Sequence, residues 1–431
     1  MEYRHRKSVF AQPLLLFTLL ISNNGNAVDT NASAIYRDSP GVYKEVFKPG
    51  KKHTIDRMIK KYMLDYNVPG MAVAIVTNPE KPVIWSKGYG VKSLENNERV
   101  TRNTSFWLAS ISKVVMGTAM AIAQEDGYLY LDQEIQNLLG EDDFNIDNPD
   151  SLPITIRDLV THSSGIKDSV AYRCSYYIDH GDGTHTKLFN LIEPGFCPDS
   201  SPITLDGFLG AYLDSEGEFY DSSSNFTGLP PGQDYKYSNI AAALAGYSVE
   251  LSTGLTLADY AEQEIFTPLG MRNTSWSFSK LNQSNLASPH TTVDNTLSSI
   301  PFYELATWPD GGLRSSAFDM ARFLAAVMNE GMLASRKSGI KILEAESVNQ
   351  MLTPLQNGFG VFWYSDWLWN YGGKDHILIG HNGAELGYFS YLVFNPKDNV
   401  GVILLANTDR GDKTESIEKL IKDLFEATQG R

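Results

Sequence analysis

Residues 106–120 read FWLASISKVVMGTAM. Ser110 stands three residues before Lys113, and a nearly uncharged apolar run follows. Positions i and i+3 of a helix share a face, so hydroxyl and amine are placed side by side. The spacing recurs at Ser164/Lys167, Ser277/Lys280, Ser338/Lys341 and Ser416/Lys419, and only context separates the five. Ser416 sits among charges on a terminal helix, and Ser277 lies in a polar, turn-like stretch. Gly follows Ser164 and Ser338, which disfavours a helix there. Ser110 alone opens a long uncharged helix, which predicts a buried site. Burial and the positive helix end both disfavour a charged lysine. A neutral lysine can then take the serine proton. Taken alone, the motif also fits a helix-start serine beside a snorkelling lysine.

Outward from this stretch, the chain divides by pattern. Residues 52–66 carry helical apolar spacing through Ile55, Met58, Ile59 and Met63. VPGMAVAIV and PVIWSKGYG then read as two strands joined by the turn TNPEK. HILIGHNG, GYFSYLVFNP and VGVILLANT are strand candidates near the other end, before a closing amphipathic helix with Ile417, Leu420, Ile421 and Leu424. The middle is mostly helical in pattern, with several segments ending at Gly. The expectation is an α+β fold: an antiparallel sheet built from both chain ends and flanked by helices, with an inserted mainly helical domain. The expected division is 51–108 plus 345–431 for the sheet domain and 109–344 for the helical one. Loop insertions are expected near 167–200 and 214–233, as lids or plain surface additions.

Two further motifs follow the first in order. Tyr237-Ser238-Asn239 precedes IAAALAGYSVE, and His381-Asn382-Gly383 lies in LIGHNGAELGYFSY. With ASISK they resemble the three motifs of the serine β-lactamase and penicillin-binding-protein superfamily, the third being normally Lys-Thr-Gly or His-x-Gly. NVPGMAVAIV, KGYGV, DGYLYLDQEI, ITIRDLVTHSSGI, IFTPLGM and DGGLRSSAFDMARFL add to a resemblance covering about residues 52–410. It is closest to the class C β-lactamase-related branch, with its esterases, D-aminopeptidases and DD-carboxypeptidases. The resemblance implies that Ser110 is the nucleophile of an acyl-enzyme and Lys113 its base. Tyr237 would relay protons, approaching the phenolate form with Lys113 as its cationic neighbour. Asn239 would touch substrate or orient Lys113, and it also reads as a helix cap. The backbone N–H groups of Ser110 and Ala384 would form the oxyanion hole. His381 would face substrate or share a proton with Tyr237, Asn382 belongs to the same substrate-binding motif, and Gly383 would let substrate approach the strand. His162 reads as structural.

The rest of the chain bounds this reading. The 431 residues are 42% hydrophobic with a net charge of −15, which argues against nucleic acid as partner. Residues 1–27 pair Arg4, Arg6 and Lys7 with a short apolar run and Gly25-Asn26-Ala27, the pattern of a cleaved signal peptide. A periplasmic or secreted protein is expected, with an N-terminal extension over 28–50 and no membrane span after cleavage. Export allows Cys174 and Cys197 to pair in a disulfide. Asp179, His180, Asp182 and His185 have no metal-motif spacing, so neither metal nor cofactor is expected. The usual third-motif lysine grips a substrate carboxylate, whereas His381 is mostly neutral at pH 7. That favours small esters or peptide-like amides as substrates. A DD-carboxypeptidase or weak β-lactamase, and an acylated but non-hydrolytic sensor, are the alternatives. The aromatic stretch FGVFWYSDWLWNYG reads as sheet packing or as the wall of an acyl pocket.

Overall fold

The computed structural model describes residues 51–428, apart from 78–82, 142, 294–295 and 335–338. The expected signal peptide, the N-terminal extension and most of the TNPEK turn lie outside the described residues. Strands β1 (Gly70–Thr77), β2 (Val83–Ser93) and β3 (Glu98–Arg99) come from the front of the chain. Strands β4 (Tyr364–Tyr371), β5 (Lys374–Glu385), β6 (Tyr388–Asn395) and β7 (Val400–Ala406) come from the back. They form one seven-stranded sheet in the order β4-β5-β6-β7-β1-β2-β3. Every neighbouring pair is antiparallel, and β1 joins the two ends of the chain through Met71↔Ala406 to Thr77↔Val400.

Each face of the sheet is covered, which is why β1, β6 and β7 are continuous apolar runs rather than alternating ones. On one face lie α1 (Lys51–Asp65) and α5 (Thr414–Thr428), the first and last described helices. Ile55, Ile59 and Met63 of α1 and Ile417, Ile421 and Leu424 of α5 pack there with Val73, Ile75, Tyr391 and Leu404. The other face carries Ala72, Ala74, Leu392, Ile403 and Leu405 against the main core. That core holds α2 (Ser112–Glu125), α3 (Asn239–Thr253) and α4 (Ala317–Met328). The expected division misses one feature: α4 falls inside 109–344 yet packs on β1, β2 and β7. Its apolar face reads the same whether the neighbour is a sheet or a helix, so spacing alone does not assign it.

The inserted region is not purely helical. Tyr176–Asp179 and His185–Lys187 form a hairpin that pairs onward with Glu304–Leu305. Cys174 and Cys197 are joined in a disulfide across this loop. His180 Nε2 meets Thr186 Oγ1 within the hairpin, and Asp182 accepts from Thr184, so this tract closes on itself. Among the described residues, no single helix is long and apolar enough to cross a membrane.

Candidate active site

The first motif sits on a turn, not inside a helix. Ser105–Trp107 pairs with Arg314–Ser316, and the chain then turns through a short 3-10 segment, Ala109–Ile111, into α2. Ala109 adopts φ of 51°, a left-handed conformation that is unfavourable for a residue with a Cβ. The surroundings hold it there. Leu108 donates its N–H to the Leu313 carbonyl at 2.8 Å, and its own carbonyl accepts from Ser390 Oγ at 2.6 Å. Ser112 Oγ donates to the Ala109 carbonyl at 2.7 Å and accepts from the Leu313 N–H at 3.0 Å. The strained turn thus presents Ser110 half-buried, while Lys113 on the first turn of α2 is fully buried.

Lys113 Nζ has three neighbours: Asn239 Oδ1 at 2.7 Å, the Asp310 carbonyl at 2.6 Å and Ser110 Oγ at 3.3 Å. Burial pushes its pKa down, against the pull of Asp310, Asp168 and Glu385. As a neutral amine it has two N–H bonds for the close acceptors and a lone pair left for the serine hydroxyl. Of the four other Ser-x-x-Lys copies, Lys167 donates to the Ser223 carbonyl, and Lys280, Lys341 and Lys419 pair with Asp259, Glu344 and Asp423.

The second motif arrives at the head of α3. Ser238, not Asn239, caps this helix, accepting from the Ala241 N–H at 3.0 Å. Asn239 instead bridges Lys113 and Asp168, whose carboxylate accepts from the Asn239 side chain at 3.0 Å and from the backbone of Asn239 and Ile240. Tyr237 donates its hydroxyl to Ser110 Oγ at 2.9 Å. Its pKa is raised well above the usual value by burial. This corrects the expectation of a phenolate: Lys113 Nζ lies over the ring, 5.1 Å from its centroid, and the phenol rests as a proton donor. His162, also at positive φ, backs the Tyr237 ring at 4.2 Å and accepts from the Ser238 N–H at 3.3 Å.

The third motif lies on β5, where alternation decides which side chains reach the site. His381, Gly383 and Glu385 pair with Leu392, Ser390 and Tyr388 and share their face with the main core. Asn382 and Ala384 pair with Tyr391 and Phe389 and face the α1/α5 side. Asn382 therefore turns its side chain away from Ser110, contrary to the expectation for it. Gly383 has a packing reason besides the one expected. A Cβ there would collide with the Leu108 carbonyl and lie 2.5 Å from Ser390 Oγ and 3.0 Å from Ala109 Cβ. Its bare backbone makes room for the turn that carries Ser110. Pairing with β4 ends at Gly380, so the stretch through Ala384 has a strand neighbour on one side only.

His381 is buried, and Nδ1 donates to the Asn382 carbonyl at 2.5 Å. That bond fixes the tautomer and leaves Nε2 as an acceptor with no hydrogen-bond partner among the described residues. Burial lowers its pKa to about 3, with Lys113 adding to the effect. No hydrogen bond links it to Tyr237, whose ring centroid is 6.3 Å away. The aromatic stretch before it serves two ends. Phe359 and Tyr364 gather with Tyr235 and His381 beside the site, whereas Trp363 stacks on Phe323 and Tyr371 on Phe425 in the two cores. Sequence reasoning missed Asp168, Asp310 and Glu385. Glu385 had a usable signal, because four residues along a strand from His381 returns to the same face.

An antiparallel sheet between helices, with Ser, Lys and Tyr converging on one serine oxygen beside an edge-exposed strand, defines a serine β-lactamase and penicillin-binding-protein type of molecule. Residues 55–424 match the Beta-lactamase family, and the chain belongs to it. It is similar to Protein flp of Staphylococcus aureus, 22% identical over 376 residues, covering 86% of this chain and 65% of that protein. It is also similar to Unguisins hydrolase ungD' of Aspergillus campestris, 25% identical over 388 residues, covering 86% of this chain and 63% of that one. The chain thus spans just under two thirds of these curated relatives. A solved class C β-lactamase superposes with a TM-score of 0.64 at 19% identity, covering 89% of this chain and 99% of that one.

Proposed function

We propose that this protein is an exported serine hydrolase that cleaves small esters or peptide-like amides through an acyl-enzyme on Ser110. The observation that carries this reading is the double contact on one oxygen: Lys113 Nζ at 3.3 Å and Tyr237 OH at 2.9 Å from Ser110 Oγ. Lys113 takes the serine proton as Oγ bonds to the substrate carbonyl carbon. The tetrahedral oxyanion rests between the backbone N–H groups of Ser110 and Ala384. Tyr237 gives its proton to the departing alcohol or amine and recovers one from the Lys113 ammonium, which returns to the neutral amine. Water, deprotonated by the same pair, then releases the acid and returns Ser110 to its hydroxyl form. The unguisins hydrolase among the relatives supports amide chemistry by its name alone. The disulfide and the basic-then-apolar N-terminus support export.

Neutral His381 sets esters and amides above carboxylate-bearing β-lactams and D-Ala-D-Ala peptides. The test is a panel of p-nitrophenyl esters, nitrocefin, D-amino-acid anilides and a D-Ala-D-Ala peptide, with Ser110→Ala as control. Turnover of esters or anilides that disappears in Ser110→Ala is expected. A nitrocefin or D-Ala-D-Ala preference would favour the cell-wall peptidase or weak β-lactamase. Stoichiometric labelling without turnover would favour a sensor.

A further inference from the structure

Of the three hydrogen bonds at Lys113 Nζ, the shortest, 2.6 Å, goes to the backbone carbonyl of Asp310. The same residue carries a carboxylate, 1% exposed, into the buried space beside the amine. Trp308–Asp310 is a 3-10 turn held on two sides. Pro309 packs on Gly246 of α3, where a Cβ would collide with it. The Trp107 indole donates to the Gly311 carbonyl, which ties the turn to the strand leading into Ser110. Asp310 is therefore fixed against the amine by its backbone.

The carboxylate is itself held. Tyr172 OH donates to its two oxygens, at 3.1 and 3.2 Å. Tyr172 is buried and stands two residues before Cys174, so the disulfide loop delivers this donor. Such a hydrogen bond favours the ionised carboxylate. Burial pushes Asp310 up to about 7, with Lys113 pulling the other way. Around the pair stand Asp168, Tyr176, Tyr237, Glu385, His162 and His381. Asp168 is committed to the head of α3. Burial, with Asp310 adding to it, lifts Glu385 to about 8 and leaves it mostly protonated near neutral pH. Burial keeps both histidines neutral and both tyrosines as phenols. Burial also lowers the pKa of Lys113, and of the charges that oppose this Asp310 acts most strongly.

A general base works best when its proton affinity lies near the working pH, and burial without a counter-charge weakens a lysine as a base. We propose that Asp310 is a positioning residue for the general base: its buried carboxylate, held by Tyr172, strengthens Lys113 as a base and so sets the pH range in which Ser110 reacts. This rests on the hydrolase reading and adds to it the group that tunes its base. The disulfide loop takes part through Tyr172.

The experiment follows the rate of Ser110 labelling by a p-nitrophenyl alkylphosphonate across pH, read by intact mass. The O–P bond forms as p-nitrophenolate leaves and the serine proton passes to Lys113, so the reading does not depend on whether esters or amides are hydrolysed. The wild-type rate is expected to rise with pH to a plateau. Asp310→Asn removes the charge at nearly constant shape. Its rising limb should move to lower pH by about one pH unit or more, the scale of losing a nearby opposite charge. Its plateau should be lower, because a weaker base takes the proton. Tyr172→Phe leaves the contact between Lys113 and the Asp310 carbonyl in place and should move the limb the same way by less. An Asp310 that merely held the fold would slow labelling at every pH and leave the midpoint where it is. A midpoint that stays or rises in Asp310→Asn overturns this inference and leaves the hydrolase reading standing. If that variant does not fold, the midpoint of Tyr172→Phe decides in the same way. No Ser110 labelling of the wild-type chain at any pH overturns both.

Discussion

At the scale of single residues, the protonation states of Lys113, Tyr237 and His381 decide what the site does. Lys113 is held below its usual range by burial, so the neutral amine accumulates as pH rises. Acylation should therefore increase with pH and level off once Lys113 is deprotonated, as a pH profile of kcat/KM on a p-nitrophenyl ester would show. His381, at about 3, stays neutral across that range. His381→Gln should leave the midpoint of the rising limb in place, and a displaced midpoint would assign the limb to His381 instead. Lys113→Ala should lower kcat/KM by roughly 10²–10⁴-fold, the range for loss of a positioned base. The Ser/Lys pair and its tyrosine were legible in the sequence because motif order and helical spacing survive without coordinates. The resting state of Tyr237 was not, since its burial involves His162, which the fold brings from a distant segment. Asp168 was equally hidden: nothing local links it to an α3 head 70 residues away.

At the scale of elements, the site is a junction between a strained turn and a strand. β5 can sit against Leu108 and Ala109 only because Gly383 has no side chain. Gly383→Ala should destabilise the fold by about 1–3 kcal/mol, the usual range for overpacking. It should also slow Ser110 labelling, because relief of the clash moves the turn. Thermal unfolding and phosphonate labelling on the same sample check both, and a variant with wild-type values for each would refute the packing argument. The strands themselves were readable from their apolar runs and bounding turns. Their facing was readable too, since period-two alternation separates His381 and Glu385 from Asn382, yet motif resemblance alone assigned all three motif residues to the cleft.

At the scale of the molecule, the first and last described helices share one face of a sheet whose strands come from the front and the back of the chain. Ile417, Leu420, Ile421, Leu424 and Phe425 of α5 are buried there, each 4% exposed or less. At about 1.5–3 kcal/mol per side chain, their loss is comparable to the whole stability of a typical domain, about 5–15 kcal/mol. A chain ending before Thr414 should therefore fail to fold, measured as loss of cooperative thermal unfolding, and cooperative unfolding in that truncation would contradict this arrangement. The two-ended sheet was legible because strand patterns cluster at the ends of the sequence. The place of α4 was not, because an apolar helix face does not record what covers it. The central claim, that this architecture delivers Ser110 as an acyl-accepting nucleophile, is tested most directly by intact-mass and peptide-mapping analysis after reaction with a p-nitrophenyl phosphonate. The account predicts one adduct, mapped to the peptide containing Ser110 and absent from Ser110→Ala. An adduct on another residue, or an equal adduct on Ser110→Ala, would contradict it.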